Sequence, residues 1–269
     1  MGPEPSTQPV VDNPAPEHRA GSPRPLAADG VRTALAALAD PARAAGMARY
    51  FKTGPGEYGA GDVFAGVRVP EVRRVVRAHR DLPLDQVEAL LGDAVHEHRL
   101  TAVLLLADRY GSAAKRGDDT GCAAVVAVYV GNTDRINNWD LVDASAEFVV
   151  GPHFRAQGTA GRAARLRLAR SESLWERRIA ILATFHDIKA GDSGPALEIA
   201  AVLLADREDL IHKATGWMLR EVGKRVDRAD LLGFLDQHAA VMPRTMLRYA
   251  IEHLDPDTRA HYLGARRTG

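Results

Sequence analysis

Trp139, Arg178 and Trp217 follow one another at equal intervals of 39 residues, and Asp143 lies one helical turn beyond the first of them. These residue types could do chemistry together. A positioned carboxylate stabilises positive charge as it develops. Tryptophan faces hold a cation, each contact contributing about 0.5–2 kcal/mol, and the planar fork of an arginine matches a phosphate or carboxylate. In the stretch "RINNWDLVDAS" (135–145), Trp139 and Asp143 stand at i and i+4 and share a helix face. Asp140 is rotated from them toward the helix start, where its charge suits the dipole, and Asn137 or Asn138 can cap that start. Asp140 therefore has a structural reason and Asp143 has none. Taken singly, the two tryptophans also fit core packing, and Asp143 also fits a solvated face.

Equal spacing means something only if the elements repeat. From residue 31 onward, apolar stripes of helical period recur with short breaks, and no segment shows the alternation of a strand at comparable strength. Pieces such as "EHRLTAVLLL", "WERRIAILAT", "IHKATGWMLR" and "PRTMLRYAIE" each run from polar-basic into apolar and recur at loose intervals of about 31 to 41 residues, the spacing of helix-pair repeats. The expected fold is all-α: an α-solenoid of HEAT-like helix pairs over 31–265, forming one curved domain whose concave face collects side chains from successive helices. Asp40 and Pro41 read as a cap and first residue of a helix. The Pro-, Ala- and Gly-rich residues 1–30 are expected to be a disordered tail.

Residues 52–70, "KTGPGEYGAGDVFAGVRVP", form the longest irregular segment. A phosphate-cradling loop there fails its context test, because no strand precedes it and no Gly-Lys-Ser/Thr follows. Lys+Arg and Asp+Glu both number 35 in the 269 residues, so only the placement of charge can speak for nucleic acid. Seven arginines between Arg155 and Arg178 could line one such surface. The single Cys122 excludes an internal disulfide and reads as core. Trp175, at the start of its helix, also reads as structural. His96 and His98 stand at i and i+2, off a common helical face, so no metal site is expected. No run approaches the roughly 18 apolar residues of a membrane span, and a soluble cytoplasmic protein is expected.

"MARYFK", "NNWDLVDAS", "LWERRIAIL" and "KATGWMLRE", in this order and spacing, resemble the AlkD-type DNA alkylation-repair glycosylases, HEAT-like repeat proteins, over nearly all of 31–265. The resemblance implies that Trp139, Asp143 and Trp217 are catalytic-pocket residues. It implies that Arg178 contacts DNA and that Tyr50 is an aromatic residue near the N-terminal helices. Arg177, Lys213 and Arg220, basic neighbours in the same motifs, are expected on DNA as well. The implied reaction is hydrolysis of the N-glycosidic bond of N3- or N7-alkylated purines in double-stranded DNA, leaving an abasic site. Such a purine is already cationic and leaves without a general acid, so one carboxylate suffices to stabilise the oxocarbenium charge and place water, unlike the two-carboxylate sugar hydrolases. No cofactor or metal is implied, and no lysine is assigned as an imine-forming nucleophile. A monomer, associated with the nucleoid when bound to DNA, is expected. The family leaves the damaged base stacked and engages the lesion through its backbone, which would admit bulky adducts. Two departures, the glycine-rich segment 54–66 and the tail, bear on substrate access. The alternative reading is a non-catalytic HEAT-repeat module that binds DNA or a protein.

Overall fold

Asp40 caps the backbone N–H of Arg43 at 3.0 Å, with Pro41 in the first helical position, as the sequence suggests. The same local logic starts later helices: Asp118, Ser173 and Asp255 each accept from a backbone N–H three residues on. The computed structural model describes Gly2 and residues 27–265, so most of the expected tail lies outside the described residues. Helix α1 already begins at Ala28, because Ala28 is buried and its N–H is bonded to Gln86, so residues 28–30 belong to the folded part.

The helices are α1 (Ala28–Ala36), α2 (Pro41–Tyr50), α3 (Val69–Ala78), α4 (Leu84–Leu91), α5 (His96–Lys115), α6 (Asp119–Gly131), α7 (Trp139–Asp143) and α8 (Val150–Ala156). They continue as α9 (Gly158–Ala169), α10 (Leu174–Lys189), α11 (Gly194–Val202), α12 (Asp209–Arg225), α13 (Arg228–His238), α14 (Arg244–Ala250) and α15 (Pro256–Gly264). No strand forms among the described residues; a single parallel bridge pairs Val63 with Val95. The chain is an all-α, solenoid-like protein.

One row of helices runs through the molecule, α5 against α7, α7 against α10, α10 against α12 and α12 against α14. A second set, including α4, α6, α8, α9, α11 and α13, packs on its other side. Helices in the first row are covered on two sides, which is why α10 is apolar almost all round, from Ile179 through Phe185 to Ile188. Gly216 lets α12 and α14 close up, since a Cβ there would stand 2.4 Å from the Met246 carbonyl and 2.5 Å from Tyr249 Cβ.

The segment between α2 and α3 is irregular yet pinned. Glu97, 0% exposed, accepts the backbone N–H groups of Ala65, Gly66 and Val67 at 2.8–3.1 Å. Gly66 crosses the start of α2 with φ 82°, where a Cβ would lie 2.2 Å from the Asp40 carbonyl. Glycine is required there on both counts. The glycine-rich loop is thus a fixed part of the wall beside α7.

Candidate active site

Helix α7 is only five residues long, so its position is set by its neighbours rather than by its own propensity. Asn138 supplies its cap, bonding the Trp139 N–H at 2.9 Å, while the Asn138 amide also donates to Asp62. Leu141 and Val142 are fully buried and seat α7 between α5 and α10. Trp139 and Asp143 are left at the two ends of the turn.

Asp143 meets Arg178 of α10 in a two-pronged ion pair, Nε to Oδ1 and Nη2 to Oδ2, both at 2.9 Å. Arg178 Nη1 donates to the Leu210 carbonyl at 2.6 Å. These bonds use three of the five guanidinium N–H donors. The fork turns to Asp143, because Arg178 is only 5% exposed and a buried guanidinium needs a close countercharge. Burial pushes the Asp143 carboxyl above its ordinary value; Arg178 opposes that shift and Asp140 adds to it.

Arg178 lines a groove of about 400 Å³ that draws on three parts of the chain, and Asp143, bound to it, keeps 21% of its side chain exposed. Tyr50 and Tyr58 come from α2 and the glycine-rich loop, Trp139 and Arg178 from α7 and α10, and Lys213, Trp217 and Arg220 from α12, with Tyr249 of α14 beyond them. Trp139 stacks on Phe51 (5.2 Å between ring centres, 17° between planes) with Tyr50 edge-on at 6.0 Å. Trp217 meets Phe185 edge-on at 5.8 Å. Tyr50 is 67% exposed at the rim. Both tryptophans are half-buried, packed on one side and open to the groove on the other.

The expected cations fall out differently. Lys213 lines the groove with its ammonium 2.8 Å from Asp209, and the hydrogen bond to Asp209 holds it above its ordinary pKa, as an ammonium rather than a free amine. Arg220 is paired with Glu252 and Glu221. Arg177 does not line the groove: its Nε bonds Asp206 at 2.6 Å and its Nη1 bonds the carbonyls of Ser171 and Glu172, which brace the start of α10. The arginine-rich stretch is mostly neutralised as well. Arg155 and Arg165 share Asp187, and Arg162 pairs with Glu198. Acidic residues distant in sequence but adjacent in space account for this, and composition alone cannot show them.

Sequence reasoning missed several contributors. Tyr58 sits among glycines and reads as loop, yet it faces the groove and meets Trp175 edge-on at 6.2 Å. Asp140 keeps its place at the helix start, but its carboxylate bonds His96 Nε2 at 2.8 Å, a partner 44 residues away. "HEH" was the available signal, and its first two residues act structurally, His96 on two carboxylates and Glu97 on the loop backbone. Cys122 is buried, in keeping with a core role.

Comparison with known proteins gives a family and a fold. The family model described as DNA alkylation repair enzyme matches residues 31–254. Among solved structures, a predicted DNA alkylation repair enzyme from Enterococcus faecalis shares the fold, with a TM-score of 0.61 at 21% identity, over 81% of this chain and 98% of that one. No curated protein sequence matches.

Proposed function

The chain belongs to the DNA alkylation repair enzyme family, and from that premise we propose that it is a monofunctional DNA glycosylase of the AlkD type. Its substrate is duplex DNA carrying cationic N3- or N7-alkylated purines, and its product is an abasic site. The observation that carries this reading is the two-pronged bond of Asp143 to Arg178, an arginine that lines one open groove with Trp139 and Trp217. Arg178 fixes the direction of the carboxylate, and Asp143 supplies the negative charge that the sugar seeks as its bond to the purine breaks. The arrangement costs no reorganisation at the moment of reaction. Each Asp143 oxygen bonded once to Arg178 retains a further lone pair, enough to orient the attacking water. The purine leaves with its own positive charge neutralised, so no proton donor is required. The chemistry asks nothing of a metal or nucleotide cofactor.

Trp139 and Trp217 would contact the cationic sugar, and the open groove with its exposed Tyr50 rim has room for adducts larger than methyl. Lys213, held as an ammonium, suits a backbone phosphate and is a poor imine-forming nucleophile. The test is release of free base from duplex DNA bearing 7-methylguanine or 3-methyladenine, followed by detection of the abasic site. DNA binding without base release would overturn the enzymatic reading in favour of a binding module. Two variants refine it. Trp217→Ala should lower kcat/KM by about 3- to 30-fold through loss of one cation–aromatic contact, with Trp217→Phe intermediate, in single-turnover assays. Lys213→Ala should weaken binding to all duplexes alike and lower the salt slope of log K by about 1. An unchanged slope in anisotropy titrations would remove Lys213 from the phosphate contacts.

A further inference from the structure

Behind Trp139 lies a buried charge cluster that the proposed chemistry does not use. His96, 1% exposed, places Nδ1 3.0 Å from Asp62 and Nε2 2.8 Å from Asp140. Asp62 also takes the Asn138 amide at 2.9 Å and pairs with Arg99. Asp140 Oδ1 is buried without a partner among the described residues, so His96 is its sole ion-pair contact. A neutral imidazole has one N–H and one lone pair, and one of the two carboxylates would then face a lone pair. With both carboxylates at hydrogen-bond distance, the ring carries both protons.

The cluster joins the parts that build the groove wall. Asp62 belongs to the glycine-rich loop, His96 to α5 and Asp140 to α7, next to Trp139. Phe64 stacks on the His96 ring at 4.6 Å, and Phe51 meets both Phe64, at 5.0 Å, and His96, at 5.2 Å; Trp139 stacks on Phe51 at 5.2 Å, so a cluster of rings links the histidine to the groove. We propose that His96, as an imidazolium bridging Asp62 and Asp140, is a positioning residue that clamps the glycine-rich loop to α7 and holds the Trp139 wall of the groove in register with the lesion strand. The role in register rests on the glycosylase reading; the clamp itself does not.

The surrounding charges support a switch at alkaline pH. Asp62 on the loop and Asp140 on α7 face the ring directly; Arg99, almost one turn along α5, pairs with Asp62. Asp143 and Arg178 form their own pair beyond Asp140. Asp93, from the α4–α5 connection, is bound to Arg32 and His98. Phe51 and Phe64, which complete the enclosure, carry no charge. None of α1, α3, α4, α6 or α10 brings a charged side chain within ion-pair distance of the ring among the described residues. Burial by itself would lower the His96 pKa, but the bonds to Asp140 and Asp62 outweigh it and push it up to about 9. A raised histidine pKa contributes stability that is complete below the unfolded value of about 6.5 and is lost as pH rises through about 9.

The test compares the full chain, His96→Gln, and the double variant His96→Gln/Asp140→Asn, which removes the unbalanced carboxylate so that the cluster can stay folded. Tryptophan fluorescence of the free proteins, titrated from about pH 7 to about pH 10.5, should show a transition near pH 9 in the parent beyond any seen in the double variant. On methylated duplex, His96→Gln should raise KM about tenfold with kcat within about threefold. The double variant should excise with no loss across the interval in which the parent declines. A parent without the extra transition, a double variant with the same one, or His96→Gln activity that falls only with its unfolded fraction would each overturn the clamp. If the parent releases no base, the glycosylase reading fails, and the fluorescence comparison still decides the clamp because it needs no DNA.

Discussion

Replacing Asp143 by asparagine is expected to slow base release by about 10²- to 10³-fold, the usual effect of removing one preorganised charge-stabilising group. Asparagine keeps the shape of the side chain and one oxygen for Arg178, but it carries no charge toward the sugar. Binding to undamaged duplex should change little, because Asp143 offers nothing to a phosphate. Arg178, almost fully buried, loses its countercharge, and breaking such a pair costs about 3–5 kcal/mol when nothing replaces it. The Leu210 carbonyl and the asparagine oxygen remain as acceptors, so the variant should melt earlier yet stay folded at 25 °C. Asp143→Ala is the poorer experiment, since it strips both oxygens from the guanidinium and confuses chemistry with stability. Single-turnover excision beside circular dichroism melting separates the two effects. Full-rate excision by a folded Asn variant would remove Asp143 from the mechanism.

Glu97→Gln should produce the largest loss of stability at a site far from any substrate. The carboxylate accepts three backbone N–H groups of the glycine-rich loop, one on Oε2 and two on Oε1, inside a fully buried setting. Glutamine keeps one acceptor and turns an N–H₂ against a backbone N–H, leaving at least one buried donor unmatched. Together with loss of a charge-assisted bond, the cost is about 3 kcal/mol or more. For a chain of this size that lowers Tm by about 6–12 °C. Loosening the loop also frees Tyr58 and the Phe51 support of Trp139, so KM for damaged DNA should rise before global unfolding is reached. Thermal melting with limited proteolysis between residues 52 and 68 checks both parts. An unchanged Tm with an uncut loop would show that Glu97 is dispensable.

The helical order was legible because it rests on local rules. Period, caps and breaks are properties of neighbouring residues: Asp40–Pro41 starts α2, and Asn138 starts α7, one of the two caps the pattern allows. The apolar stripes mark out the rows that α10 and α12 bury. Trp139, Arg178 and Trp217, spaced by 39 residues, stand on α7, α10 and α12 of one row and share a groove. Local rules reached less far into the loop. Residues 52–70 read only as irregular, yet they are held by Glu97 and by a glycine crossing at Gly66, contacts formed with residues about 30 positions away in sequence.

What the sequence determined by itself was therefore the all-α, solenoid-like fold and the sharing of one groove by Trp139, Arg178 and Trp217. What only the tertiary structure decided was how charges pair. Ion pairs and buried hydrogen bonds are made across space, and burial makes the choice of partner costly to change. So Arg178 turns its fork to Asp143, Arg177 to Asp206, and Asp140 to His96 rather than to its own helix dipole. Spacing along the chain can say which side chains share a face. It cannot say which opposite charge waits on the neighbouring element.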